Sequence, residues 1–223
     1  MQQPPSNAAV PIRGTQGYAE QADVLVPRYE ALDFLRKHGA VAHLLPAAPG
    51  NVLDVGAGTG ADAAWFANAG YRVLAVEPTD KFRSCGSELH PSPSIDWLND
   101  SLPLLDGVLH RNDRFDIIMV TAVWMHLDEA EREAAMPRLA LLLKSEGVLV
   151  LALRHGPVPI GRMMFAVSAE ETIALARACG LAVALNARTP SLQPANIEAD
   201  VTWSRIVFKV ATGGQPARGP GAA

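Results

Sequence analysis

The chain has 223 residues, of which 49% are apolar, and a formal net charge of −4. This length is enough for one domain with a full core. The charge and the lack of a dense Lys/Arg cluster give no electrostatic basis for binding nucleic acid or a membrane surface. The longest apolar run, Ile117–Met125, is about half as long as a membrane span requires.

Cysteine use and the N-terminal sequence indicate a cytoplasmic protein. The two cysteines, Cys85 and Cys179, are far apart, and neither belongs to a pair with metal-ligand spacing. The first residues show neither the charged region nor the apolar region of a secretory signal. We therefore expect free thiols and no metal site.

The N-terminal region combines a polar segment with a helical pattern. Residues 1–14 are rich in Pro, Gln and Asn, and we expect them to form a flexible tail. The spacing of apolar residues then predicts one helix from Asp23 to about Ala42. Tyr18, which lies between the two, is either an aromatic packing anchor or a contact to a cofactor.

A glycine-rich turn follows the first predicted strand, in the stretch Asn51–Gly60. Gly56, Gly58 and Gly60 interrupt the apolar run abruptly, and a helical segment begins directly after them. A strand, a glycine turn and a helix together direct backbone N–H groups at a ligand. Asp54 ends the strand, so its carboxylate should face this turn.

The glycine pattern alone leaves the cofactor open. Gly56, Gly58 and Ala61 also satisfy the fingerprint of a dinucleotide-binding turn. A second apolar run, Arg72–Val76, ends in Glu77, and an acid at that point can accept hydrogen bonds from both hydroxyls of a ribose. A solvated carboxylate at the end of a strand is the alternative interpretation of Glu77.

The later elements predict an α/β fold in which strands and helices alternate. Consecutive strands without a crossover helix pair antiparallel, so the last two strands break this alternation. We interpret residues 211–223 as a disordered tail and find no second domain. The predicted elements are strands at 94–98, 115–121, 147–153, 181–185 and 202–210, helices at 128–144 and 168–180, and a polar segment at 186–200 that could serve as a lid.

These features resemble the class I S-adenosylmethionine-dependent methyltransferases, most closely the small-molecule enzymes of types 11 and 12. The resemblance covers residues 15–210 and rests on the glycine turn with Asp54, on Glu77 and on Asp100 after the third strand. It implies a single domain with a Rossmann-like, mostly parallel sheet of seven strands. The last strand should be antiparallel, and helices should cover both faces.

The resemblance also implies which residues contact S-adenosylmethionine. Asp54 would lie near the methionine amine, Glu77 would bind the ribose hydroxyls, and Asp100 would accept from the adenine amino group. Asp100 has an alternative role in an Asx turn that closes the strand. The full predicted set is Tyr18, Asp54, Gly56, Ala57, Gly58, Glu77, Pro78, Asp100, Ser101, Thr121 and Ala122.

Two histidines after the fourth and fifth strands are candidate general bases. His126 and His155 both follow strands at the carboxyl edge of the sheet, where ligands bind in open α/β folds. Each has an alternative structural role. The candidate substrate contacts are Arg154 and Arg162, which could hold an acidic group, and Trp124, which belongs either to the site or to the core.

The sequence therefore predicts an S-adenosylmethionine-dependent methyltransferase that acts on a small molecule by in-line transfer to oxygen or nitrogen. Its partners would be the small-molecule acceptor alone, without nucleic acid or membrane, and it would be a monomer or a homodimer. The alternatives are a non-catalytic regulatory protein that binds S-adenosylmethionine or a nucleotide, and an NAD(P)-dependent oxidoreductase. No Tyr-x-x-x-Lys pair supports the oxidoreductase.

Overall fold

The computed structural model describes residues 12–211. Of the two predicted tails, only residues 12–14 and 211 lie within this range. The strands are β1 (Asn51–Val55), β2 (Arg72–Val76), β3 (Ile95–Leu98), β4 (Phe115–Thr121), β5 (Leu143–His155), β6 (Leu181–Pro190) and β7 (Thr202–Val210). The α-helices are α1 (Ala22–Glu30), α2 (Phe34–Ala42), α3 (Ala61–Asn68), α4 (Asp80–Leu89), α5 (Asp106–His110), α6 (Glu129–Leu142), α7 (Ala169–Ala178) and α8 (Pro194–Glu198), with a 3₁₀ helix at Trp124–His126.

The seven strands form one sheet in the order β3-β2-β1-β4-β5-β7-β6. The first five strands in this order are parallel to one another, whereas β7 is antiparallel to both β5 and β6. This arrangement confirms the predicted Rossmann-like sheet with its antiparallel last strand.

Helices cover both faces of the sheet because the central strands are apolar on both sides. On one face, Phe34 of α2 and Phe66 of α3 pack against Val52 and Val150 of the sheet. On the other face, α5, α6 and α7 pack on a second cluster that contains Leu53. No helix in residues 12–211 is long and apolar enough to cross a membrane.

Two predicted segments differ in the structure. The helix predicted from Asp23 to Ala42 is divided into α1 and α2, because the side chain of Asp33 accepts a hydrogen bond from the Arg36 backbone N–H at 2.9 Å and caps a new helix. The segment 186–200 is not a single open loop. Its first part continues β6 to Pro190, and α8 fills most of the rest.

The sheet brings the ends of β1, β2 and β3 together at one edge. The backbone N–H of Gly56, just after β1, donates to the Val76 carbonyl at 2.8 Å. The N–H of Glu77, just after β2, donates to the Leu98 carbonyl at 3.1 Å. Residues that are distant in sequence therefore share one ligand-binding edge.

Candidate active site

A cavity of about 630 Å³ opens at this carboxyl edge. This volume is typical of sites for small molecules and cofactors. Most of the predicted site residues line the cavity, whereas Asp100, Trp124 and His155 do not. The lining residues from the predicted set are Tyr18, Asp54, Gly56, Ala57, Gly58, Glu77, Pro78, Ser101, Thr121, Ala122, His126, Arg154 and Arg162.

The glycine turn forms the floor of the cavity and requires glycine at Gly56. The φ angle of Gly56 is +70°, and a Cβ there would lie only 2.3 Å from Cγ2 of Val123. Such a contact would displace either the turn or the segment that follows β4. The chain can therefore pass close to Val123 only because residue 56 has no side chain.

Glu77 links the end of β2 to the glycine turn. Its carboxylate accepts hydrogen bonds from the backbone N–H groups of Gly58 at 2.9 Å and Thr79 at 2.8 Å. The side chain is buried, and burial raises its pKa although the Thr79 and Gly58 hydrogen bonds oppose this effect. Each carboxylate oxygen keeps a second lone pair, so Glu77 can also accept a ligand hydroxyl.

Asp54 is a buried carboxylate that lacks a partner for one of its oxygens. The residue is 2% exposed, and its Oδ2 has no hydrogen bond from any residue in the described range. Burial raises the pKa of Asp54 to about 8, with Asp62 and Glu77 adding to this effect and Lys37 opposing it. An unsatisfied carboxylate of this kind fits a cationic ligand group, such as the ammonium of a methionine moiety.

A charged cluster beside Asp54 was not predicted. Asp62 accepts from Lys37 Nζ at 2.7 Å and from His38 Nε2 at 2.9 Å. Burial alone would raise the pKa of Asp62, but His38 and Lys37 together hold it below its ordinary value. His38 is fully buried, and this carboxylate supplies its hydrogen-bond partner.

His126 and Tyr18 form a hydrogen-bonded pair inside the cavity. Nδ1 of His126 lies 2.6 Å from the Met163 carbonyl, so Nδ1 carries the proton and donates. Nε2 is then free to accept from the Tyr18 hydroxyl, which lies 3.0 Å away. Burial lowers the pKa of His126, so the imidazole is neutral at pH 7.

Two segments cover the cavity. The guanidinium of Arg162 lies 3.9 Å above the ring of Tyr18 and donates to the side chain of Gln21 at 2.8 Å. Residues 12–14 also line the cavity, and Arg13 pairs with Asp128 at 2.9 Å. Residues 12–14, which the predicted tail includes, therefore contact other parts of the chain.

Asp100 lies beside the cavity and satisfies backbone groups. Its carboxylate accepts from the N–H of Ser101 at 2.7 Å and from the N–H of Val108 at 3.0 Å. The alternative structural role of Asp100 is therefore present. Its contact with adenine remains a prediction, and Ser101 is the residue of this segment that lines the cavity.

The structure does not bring Trp124 or His155 into the cavity. Trp124 is fully buried in the core, so it is not a substrate contact. His155 follows Arg154 directly in β5 and therefore points to the opposite face of the sheet. There its Nε2 lies 2.9 Å from the Ser204 hydroxyl, so we do not retain the catalytic role predicted for it.

The sheet order and the glycine turn define a cofactor-binding α/β domain of the Rossmann-like class. Comparison with protein families gives a match to the family described as "Methyltransferase domain" over residues 53–151. This segment runs from β1 into β5 and contains the glycine turn, Glu77 and His126. This match confirms the predicted resemblance to the S-adenosylmethionine-dependent methyltransferases and the predicted cofactor.

Solved structures with the same fold have low sequence identity to the chain. One is 1,6-didemethyltoxoflavin-N1-methyltransferase from Burkholderia thailandensis, with 19% identity, 93% of this chain and 94% of that chain covered, and a TM-score of 0.61. Magnesium protoporphyrin IX methyltransferase from Synechocystis PCC 6803 has 18% identity, with 93% of this chain and 100% of that chain covered and a TM-score of 0.64. The [4+2]-cyclase SpnF has 16% identity, with 88% of this chain and 94% of that chain covered and a TM-score of 0.66. A comparison with curated proteins finds no match.

Proposed function

We propose that the protein transfers a methyl group from S-adenosylmethionine to oxygen or nitrogen of a small molecule. The observation that carries this proposal is that one covered cavity contains both the cofactor-binding turn and the Tyr18–His126 pair. The cofactor and the acceptor can therefore meet in one cavity.

The residues at the turn fit the cofactor. Asp54 would pair with the methionine ammonium, and Glu77 would accept from the ribose hydroxyls while it holds Gly58 in place. Pro78 and Ser101 would lie along the adenine, and Thr121 and Ala122 would lie near the sulfonium. When bound, the cofactor supplies a methyl group on a sulfonium, from which an in-line nucleophile can displace it.

The protein itself would position the acceptor, shield the reacting atoms from water and supply a general base. Holding the acceptor atom in line near the methyl group can supply on the order of 7–11 kcal/mol. Arg162 lies over the ring of Tyr18, and the segments that carry these two residues would shield the bound methyl group from water. Nε2 of neutral His126 can take the proton that the acceptor oxygen or nitrogen loses, either directly or through the Tyr18 hydroxyl.

The remaining properties are also part of the proposal. We take the described residues as one methyltransferase domain, either monomeric or homodimeric, that acts in the cytoplasm without nucleic acid or membrane partners. The free thiols of Cys85 and Cys179 and the net charge of −4 support this. The methyltransferases of B. thailandensis and Synechocystis are named for small molecules, which supports a small-molecule acceptor here.

The same fold occurs in the [4+2]-cyclase SpnF, so the alternatives include chemistry other than methyl transfer. Transfer of a labelled methyl group distinguishes the proposed function from these alternatives. A bacterial extract separated by ultrafiltration into small-molecule and macromolecular fractions is incubated with the protein and methyl-labelled S-adenosylmethionine. We expect label in the small-molecule fraction with wild-type protein and, at a cofactor concentration near the wild-type Kd, much less label with Asp54→Asn. Label confined to protein or nucleic acid, or no transfer at all, would contradict the proposal.

A further inference from the structure

Two arginines that line the cavity make no ion pair with a carboxylate in the described part of the chain. Arg205 of β7 is only 6% exposed, and Arg154 of β5 is half-buried. Both line the cavity. Within residues 12–211, no carboxylate oxygen lies within 4.0 Å of either guanidinium, although twelve such ion pairs occur elsewhere.

The contacts that these arginines do make are neutral. Arg205 lies 3.5 Å from Nδ1 of His38 and 3.5 Å from the hydroxyl of Thr189. Arg154 donates to the Pro157 carbonyl at 2.8 Å and has a long contact of 3.5 Å with a side-chain oxygen. Burial lowers the pKa of both guanidiniums, which remain charged because arginine does not lose its proton in proteins. The acid whose charge acts on Arg205 is Asp62, which is already paired with Lys37 and His38. Positive charge therefore exceeds negative charge in this part of the cavity, which is suited to an anion.

The strand register directs both side chains to the face of the sheet that carries Asp54. Asp54 is paired with Met119, which is paired with Val150, and Val150 and Arg154 are four residues apart on β5. Side chains of a strand alternate between faces, so all four lie on the same face.

Arg205 and Trp203 extend this surface on the adjacent strand. Arg205 is paired with Ala152, and Trp203 is paired with Arg154. Paired residues of neighbouring strands share a face, so the two arginines are diagonal neighbours beside the Trp203 ring. The ring lines the cavity and gives an apolar wall next to the two charges.

We propose that Arg154 and Arg205 bind a carboxylate of the methyl acceptor and that Trp203 packs against its apolar part. The acceptor is thus a small carboxylic acid. This inference rests on the proposed function, because it assumes that S-adenosylmethionine occupies the glycine-turn end. It adds Arg205 and Trp203, for which the sequence analysis made no prediction.

The carboxylate of the cofactor itself is a poor match for these arginines. In the sheet, β1 is separated from β5 by one strand and from β7 by two, so the strands that carry Arg154 and Arg205 lie about 10 and 14 Å from β1. The ammonium and carboxylate of methionine are attached to one carbon, so an ammonium at Asp54 keeps its carboxylate near β1. Lys37, whose charge acts on Asp54, is the nearer cation.

The test uses benzoate and 4-hydroxybenzoate as probes, with the neutral benzamide and 4-hydroxybenzamide as matched controls. Their binding to full-length protein saturated with S-adenosylhomocysteine is measured by calorimetry. We expect each acid to bind at least tenfold more tightly than its amide, and we expect Arg154→Gln and Arg205→Gln each to abolish this preference. Arg188→Gln is the control, because Arg188 carries the same charge on β6 but lies on the opposite face.

Several outcomes would overturn the inference. Equal binding of acids and amides to the wild-type protein would do so, as would a preference that survives in both cavity variants. A loss of S-adenosylhomocysteine affinity greater than tenfold in Arg154→Gln would show that Arg154 binds the carboxylate of the cofactor and not that of the acceptor. Arg154 is half-buried, so that variant carries the test if Arg205→Gln does not fold. Failure of wild-type protein to bind S-adenosylhomocysteine would instead contradict the proposed function.

Discussion

Asp54→Asn should weaken the binding of S-adenosylhomocysteine at pH 8 about 30-fold or more, and it should also raise the melting temperature of the ligand-free protein. Removing one partner of a buried charge pair costs about 2–5 kcal/mol of binding free energy, which corresponds to at least this factor. In the ligand-free protein the same carboxylate is buried with Oδ2 unsatisfied, so the neutral amide is the less costly group. Calorimetry and thermal unfolding measure the two effects.

The stability effect depends on pH in a defined direction. Burial raises the pKa of Asp54 to about 8, so between pH 4 and pH 8 the folded protein holds a proton that the unfolded chain has lost. The stability associated with this group is complete below pH 4 and is lost as the pH rises through 8. The gain in melting temperature from Asp54→Asn should therefore be small at pH 5 and large at pH 8.

A matched variant separates this effect from a general change in charge. Asp23→Asn removes one carboxylate whose side chain is 91% exposed, and it should leave both cofactor affinity and melting temperature nearly unchanged. An unchanged affinity of Asp54→Asn for S-adenosylhomocysteine would show that Asp54 does not bind the ammonium. A melting temperature of Asp54→Asn below that of the wild type at pH 8 would show that the buried carboxylate does not lower stability.

His126→Asn should lower kcat by a factor of about 10² to 10⁴, the range expected when a general base is removed. Asparagine can still donate to the Met163 carbonyl, so the turn is retained while the Nε2 base is lost. Binding of S-adenosylhomocysteine should change little. Tyr18→Phe keeps the ring beneath Arg162 and removes only the hydroxyl, so it tests whether the proton passes through Tyr18.

The pH profile provides an independent check of this role. The base must be neutral, and burial lowers the pKa of His126 below its ordinary value of 6.5. With cofactor saturating, kcat should therefore reach a plateau at high pH and should fall to half of that plateau only at a pH below 6.5. Measurement of kcat between pH 5 and pH 9 tests this. A kcat in His126→Asn equal to that of the wild type would remove His126 from the reaction.

The cofactor side of the site could be predicted because its signals are local in sequence. The glycine turn and Asp54 lie within one ten-residue stretch, and Glu77 ends the next strand. In a parallel sheet the ends of adjacent strands meet at one edge, so these residues could be brought together without knowledge of the full fold.

The acceptor side could not be predicted in the same way. Arg154 and His155 are adjacent in sequence, and only the exact register of β5 decides which of them points into the cavity. Arg205 is 167 residues from its contact His38, a distance over which neither periodicity nor spacing gives a signal. The sequence does contain one signal, because Arg205 is a charged residue directly before the apolar run of β7.

The N-terminal segment illustrates a further limit of composition. Residues 12–14 are polar and lack a secondary-structure pattern, so they resemble a tail. Their order comes from contacts with distant parts of the chain. Arg13 pairs with Asp128, and a Cβ on Gly14 would lie 2.7 Å from Cβ of His126. Such contacts become visible only once the fold brings the two segments together.

Calorimetric titration of the wild-type protein and Glu77→Ala, with S-adenosylhomocysteine and with NAD, tests the central claim most directly. Glu77 joins the glycine turn to the ribose site through its hydrogen bonds to Gly58 and Thr79. We predict micromolar binding of S-adenosylhomocysteine, no binding of NAD, and a loss of affinity greater than tenfold in Glu77→Ala, or at least about 1.4 kcal/mol. A preference for NAD, or unchanged affinity in Glu77→Ala, would contradict the assignment of this cavity to S-adenosylmethionine.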